Sequence, residues 1–147
     1  MSNPLRTPED YDFFLYALAG RFPAIERSTL AFVRRGASLA RVAGDLFFSH
    51  GMRLAVRERI LFDRLPATID EYGYEVWRGD EKLWWYDTQP HPKEPSLART
   101  HPHHKHVPPD LERNRILAPH MSFNTANIPI LIAEIEQLIK TAEQKEI

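Results

Sequence analysis

The sequence predicts an α+β fold: an antiparallel β-meander of about five strands, with an N-terminal helix and a C-terminal helix packed on the sheet. Three observations carry this expectation. From Met52 to Phe62 the even positions are apolar except for Glu58, while the odd ones include Arg53, Arg57 and Arg59, the period-two pattern of a half-buried strand. Thr7-Pro8-Glu9-Asp10 is a helix start, with a capping hydroxyl, a proline in the first turn and acids at the positive helix end. Ile128, Leu131, Ile132, Ile135, Leu138, Ile139 and Ala142 repeat at i, i+3, i+4, i+7, the stripe of an amphipathic helix. A chain of 147 residues predicts one domain, residues 1–147, large enough to bury a core without disulfides.

The first helix carries Phe14, Leu15 and Leu18 on one face and should end near Gly20 and Pro23. Leu30 to Val33 is a short apolar strand. Residues 40–48 alternate, and His50-Gly51 then suits a tight hairpin turn into residues 52–62. Ile69 to Trp77 and Lys82 to Asp87 form a further hairpin turned by Arg78-Gly79-Asp80-Glu81, its strands rich in Tyr and Trp. Residues 88–127 hold seven of the twelve prolines and six of the seven histidines and read as one long loop without periodicity, which in a compact domain is usually functional or disordered. The C-terminal helix spans 128–142, with Asn127 as its cap and Pro129 in its first turn.

Composition removes several chemistries. There is no cysteine, so disulfide frameworks, thiolate zinc sites and cysteine nucleophiles are excluded. Neither a signal peptide nor a membrane span is legible, and the expected setting is cytoplasmic. The net charge of −1 conceals segregation: residues 21–64 carry nine arginines, no lysine and four acids, whereas residues 65–87 carry six acids against two bases. Arginine without lysine favours planar, bidentate recognition of phosphate or carboxylate.

Two features point to chemistry. Glu58 is the one charge on the apolar face of its strand, so it must be paired, hydrogen-bonded or protonated there. The run His101-Pro102-His103-His104-Lys105-His106 concentrates imidazole, the group that both takes and gives protons near neutrality. In an extended segment His101 and His103 point one way, His104 and His106 the other. The run has three readings. It can perform acid–base catalysis on phosphodiesters without a metal. It can bind zinc or another divalent transition metal through His101, His103, His104 and His106, helped by Asp87, Glu58 or His91. Or it can serve structure alone, its rings hydrogen-bonding loop carbonyls.

The order Glu71-Tyr72-Gly73-Tyr74-Glu75-Val76-Trp77, then Trp84-Trp85-Tyr86-Asp87, then His91-Pro92, then His101 to His106 resembles the TumE family, the toxin component of prokaryotic TumE–TumA toxin–antitoxin pairs. Glu58, Tyr72 with Tyr74, Tyr86 with Asp87, and Pro102 through His106 match positions of the family pattern. The resemblance covers about residues 30 to 140. One position departs: Trp85 stands where the family pattern has an arginine, which removes one phosphate clamp. The resemblance implies a toxin with a cognate antitoxin, the acidic strands 65–87 or exposed aromatics being candidates for that interface.

Together these readings lead to an expected activity on RNA as a metal-independent ribonuclease. His103, His104, Lys105 and His106 would form the catalytic cluster, with Glu58 or Asp87 orienting an imidazole. Arg53, Arg57, Arg59 and Tyr86 would bind RNA. The rival expectation is a non-enzymatic module, metal-stabilised or RNA-binding, acting by occupancy. Self-association as a homo-oligomer stays open.

Overall fold

A computed structural model of the chain describes residues 3–88, 103–108, 115–118 and 120–145, with the backbone alone at His104, Arg115 and Leu117. The architecture is α+β. After a short 3-10 turn (Pro4–Arg6), helix α1 (Pro8–Arg21) leads into β1 (Arg27–Ser28), β2 (Ala31–Arg34), β3 (Leu39–Phe47), β4 (Met52–Leu61), β5 (Thr68–Arg78) and β6 (Glu81–Asp87). Then follow β7 (His104–His106), β8 (Arg115–Leu117) and α2 (Ile128–Lys145). The sheet runs β1-β3-β4-β5-β6-β7-β8, all antiparallel, with β2 lying alongside β1 on the same edge of β3. Eight strands thus fill seven positions.

The expected meander of five strands is present as β2 to β6, but the count is too low. β1, β7 and β8 add to it, and each has only two or three residues. Segments that short carry no period to read. They become strands because a neighbour offers an unpaired edge: β7 zips onto β6 and β8 onto β7. The forty-residue loop is therefore partly sheet.

Local signals place the other elements. The Thr7 hydroxyl accepts from the Asp10 amide at 3.0 Å, capping α1. His50 and Gly51 both take positive φ, 60° and 71°, the backbone of a tight hairpin between right-twisted strands. Asn127 is not the side-chain cap that its position suggests. Its backbone carbonyl accepts from the Ile130 amide, while its side chain turns inward to Tyr74 and Ser122.

Both helices lie on one face of the sheet. One hydrophobic cluster joins Leu15 and Leu18 of α1, Val42, Leu54, Val56, Ile60 and Tyr74 of the strands, and Leu131, Ile132 and Ile135 of α2. No described helix is long and apolar enough to cross a membrane. The other face presents Arg41, Ala43, Arg57 and Glu71 as exposed residues and carries no described helix.

Gly44 explains how β1 and β2 share an edge. Its φ is 141°, and a Cβ there would lie 2.5–2.8 Å from the Thr29 carbonyl and the Leu30 Cα. Thr29 and Asp45 exchange bonds across this break: the Thr29 amide donates to the Asp45 carbonyl, and the Asp45 amide to the Thr29 hydroxyl, both at 2.8 Å. A side chain at 44 would collide with backbone that cannot move cheaply. Gly44→Ala is expected to lower stability by about 1–3 kcal/mol, read as a lower urea midpoint at unchanged slope.

Candidate functional site

Strand alternation divides the histidine run between the two faces of the sheet. Asp87, Tyr86 and Trp85 of β6 stand opposite His104, Lys105 and His106 of β7. His106 therefore occupies the face without helices and Lys105 the helix-covered face, and His104 holds a register position equivalent to that of His106. His101 and His91 lie outside the described residues, as does the side chain of His104.

On the open face, His106 and Asp87 meet. His106 Nε2 is 3.2 Å from Asp87 Oδ2, and with a carboxylate as partner Nε2 is the donor, which leaves the lone pair of a neutral ring on Nδ1. Trp85 Nε1 donates to the same Asp87 oxygen at 3.2 Å. The His106 ring stacks on the Trp85 indole at 3.9 Å between centroids and is only 2% exposed. Trp85 thus contacts both members of the pair, Asp87 through its indole N–H and His106 through its ring face.

The arginine stripe shares this face. Arg53 pairs with Asp45 at 2.9 Å and lies over the Trp77 ring. Arg59 makes a fork to Asp70, 2.8 and 2.6 Å, and reaches Glu71 at 3.7 Å. Arg57 extends across Gly73, which in register faces Arg57 on one side and Asp87 on the other. One row therefore runs Arg57, Gly73, Asp87, His104.

The remaining candidates lie elsewhere. Among the described residues, Glu58 bonds two tyrosines and no histidine. It is 3% exposed, and it accepts from Tyr11 Oη at 2.6 Å and from Tyr74 Oη. Burial raises its pKa to about 7 even though both phenol bonds pull it down. The carboxylate that bonds an imidazole is Asp87, and Glu58 instead ties α1 to the sheet. Tyr86 faces α2 rather than the arginine stripe: its hydroxyl donates to Glu134, as does Trp84 Nε1 at 3.1 Å. Burial first, and Glu134 second, push its phenol pKa well up. Its ring is 5% exposed, so it offers no stacking platform to a base. Lys105 sits 4.6 Å over Trp84 and 5.1 Å over Tyr86, with Glu134 at 4.0 Å. It is thus across the sheet from His106. His103 Nδ1 bonds the Tyr72 hydroxyl at 2.8 Å, and its ring lies against Phe123. Among the described residues no three His, Asp or Glu side chains converge as metal ligands would.

Three contributors were not read from the sequence. Tyr11 precedes Phe14, Leu15 and Leu18 by three, four and seven residues, so extending that apolar stripe backwards finds it. Asn127 bonds Tyr74 Oη at 3.2 Å, a role hidden by its reading as a cap. Glu134 has no sequence signal beyond flanking the apolar stripe of α2.

A family model described as Toxin TumE matches residues 15–139. No curated protein and no solved structure matches.

Proposed function

This chain belongs to the TumE toxin family, and from that membership we propose that it arrests growth by cleaving RNA. As a toxin of a toxin–antitoxin system it has a cognate antitoxin. The observation that carries the RNA reading is the shared face: the Asp87–His106 pair and the arginines of β4 lie on one side of the sheet, joined by the row Arg57, Gly73, Asp87, His104.

The chemistry needs a base, an acid and a cation. His106, held by Asp87, takes the proton of a ribose 2′-hydroxyl. The 2′-oxygen attacks the adjacent phosphorus, the bond to the 5′-oxygen breaks, and that oxygen receives a proton from His104, whose register position is on the same face. The products are a 2′,3′-cyclic phosphate and a 5′-hydroxyl. Lys105, expected in the catalytic cluster, is on the opposite face, so stabilising phosphate charge falls to Arg57, across Gly73 from Asp87 in register.

The deep burial of His106 favours a second reading, in which the same face holds RNA without cutting it. One experiment separates the two. Induced wild-type protein should stop growth, and purified protein should fragment RNA in buffer containing EDTA to leave cyclic phosphate ends. His106→Ala should abolish both while retaining RNA binding. Growth arrest with RNA bound but uncut supports occupancy; no effect on RNA of either kind removes the RNA reading.

A further inference from the structure

The four arginines that β3 and β4 place on the open face are not equivalent. Arg53 and Arg59 are already neutralised by Asp45, Asp70 and Glu71. Arg41 and Arg57 are both exposed, and among the described residues neither has a carboxylate partner. Arg41 stands directly opposite Arg59 in the β3–β4 register. A cleft of about 160 Å³ opens there, lined by Arg41, Arg57, Arg59, Glu71 and Gly73 among others. Its acid, Glu71, is drawn toward Arg59.

Gly73 supplies a second, independent observation. Its backbone is not in the left-handed region, so its conformation does not demand glycine, and strands disfavour glycine. A Cβ at 73 would strike Arg57 Nη2 and stand 3.0 Å from Cζ. The missing side chain lets the Arg57 guanidinium lie against position 73 beside the cleft, a group suited to bidentate contact with a phosphate.

We propose that Arg41 and Arg57 form a seat for one phosphate group, that Gly73 keeps its floor open, and that its occupant is a phosphodiester of RNA crossing the sheet. The seat adjoins Asp87, one strand spacing of about 4.8 Å beyond Gly73. The identity of the occupant rests on the RNA reading above; the phosphate chemistry of the seat does not.

The test measures binding to the full chain at two salt concentrations, using labelled 2′-O-methylated single-stranded RNA, which cannot be cleaved, and inorganic phosphate separately. Arg21→Gln, an exposed arginine of α1 on the helix-covered side of the sheet, gives the loss due to one positive charge elsewhere. Arg41→Gln and Arg57→Gln should each weaken RNA binding about tenfold and lower the salt slope by about one. Gly73→Ala removes no charge and displaces only a flexible side-chain end, so it should fold normally and still lose about as much affinity as Arg57→Gln. If RNA fails to bind wild type while inorganic phosphate binds and is lost in Arg57→Gln, the seat stands and the RNA reading falls. The seat is overturned if neither ligand binds wild type, or if Arg41→Gln and Arg57→Gln lose no more than Arg21→Gln.

Discussion

Urea unfolding across pH 4.5 to 7 should show the wild-type protein losing stability relative to Glu58→Gln as the pH rises. The cause is the buried carboxyl between Tyr11 and Tyr74. Its pKa is 4.5 for an ordinary glutamate and about 7 in the folded chain, raised by burial. Below pH 4.5 both folded and unfolded chains hold the proton, and the full benefit is present. Between 4.5 and 7 the unfolded chain releases it and the folded chain keeps it, so each step up in pH favours unfolding. Above 7 both are ionised and the loss is complete, about 3 kcal/mol in all. Other carboxylates contribute with the opposite sign, so the quantity to read is the difference between wild type and Glu58→Gln. A glutamine keeps the shape and an acceptor for a phenol but has no proton to lose. Parallel profiles would show that Glu58 does not titrate in this window. Glu58→Ala is a harsher change, leaving two buried phenols without their acceptor at a cost of about 2–4 kcal/mol.

Asp87→Asn should cut RNA cleavage by about 10²–10⁴-fold with little effect on RNA binding. The amide fits the same space, and its oxygen can still accept from Trp85 or His106. It cannot balance the imidazolium that forms when His106 takes a proton. Anisotropy with uncleavable RNA and the rate on cleavable RNA must be measured on the same preparation. Cleavage lost with binding intact identifies Asp87 as the orienting and charge-balancing group. If both fall together, with a lowered melting temperature, Asp87 merely holds β6 and β7 together.

The parts of the fold that were legible are those in which many residues repeat one signal. Thr7 to Asp10 announced α1, even-numbered apolar residues announced β4, and the seven-residue stripe announced α2, whose three extra residues at the C-terminus lie past the last apolar position. β7 and β8 were not legible because three residues hold no period and their pairing is decided by the free edge of β6. Lys105 was partly legible: the alternation that puts His104 with His106 also puts Lys105 on the other side. What alternation does not contain is the covering of that side by α2 and Glu134. Glu58 was recognised as a group needing a partner, but its partners come from 47 residues earlier and 16 later, distances over which local patterns carry no information. Arg53 and Arg59 looked like the RNA contacts because they sit on the same strand face as Arg57. Only the folded chain shows that Asp45 and Asp70, from β3 and β5, already occupy them.

The buried chain Tyr11, Glu58, Tyr74, Asn127 also bears on synthesis. It clasps the first helix, the centre of the sheet and the residue that opens the last helix. A nascent polypeptide halted before Asn127 lacks α2 and leaves the hydrocarbon face of its strands and the Tyr74 hydroxyl in water. The core closes only once the eighteen-residue α2 has been made and has packed on the sheet. The shape of the open face is thus set from behind, by a helix on the opposite side.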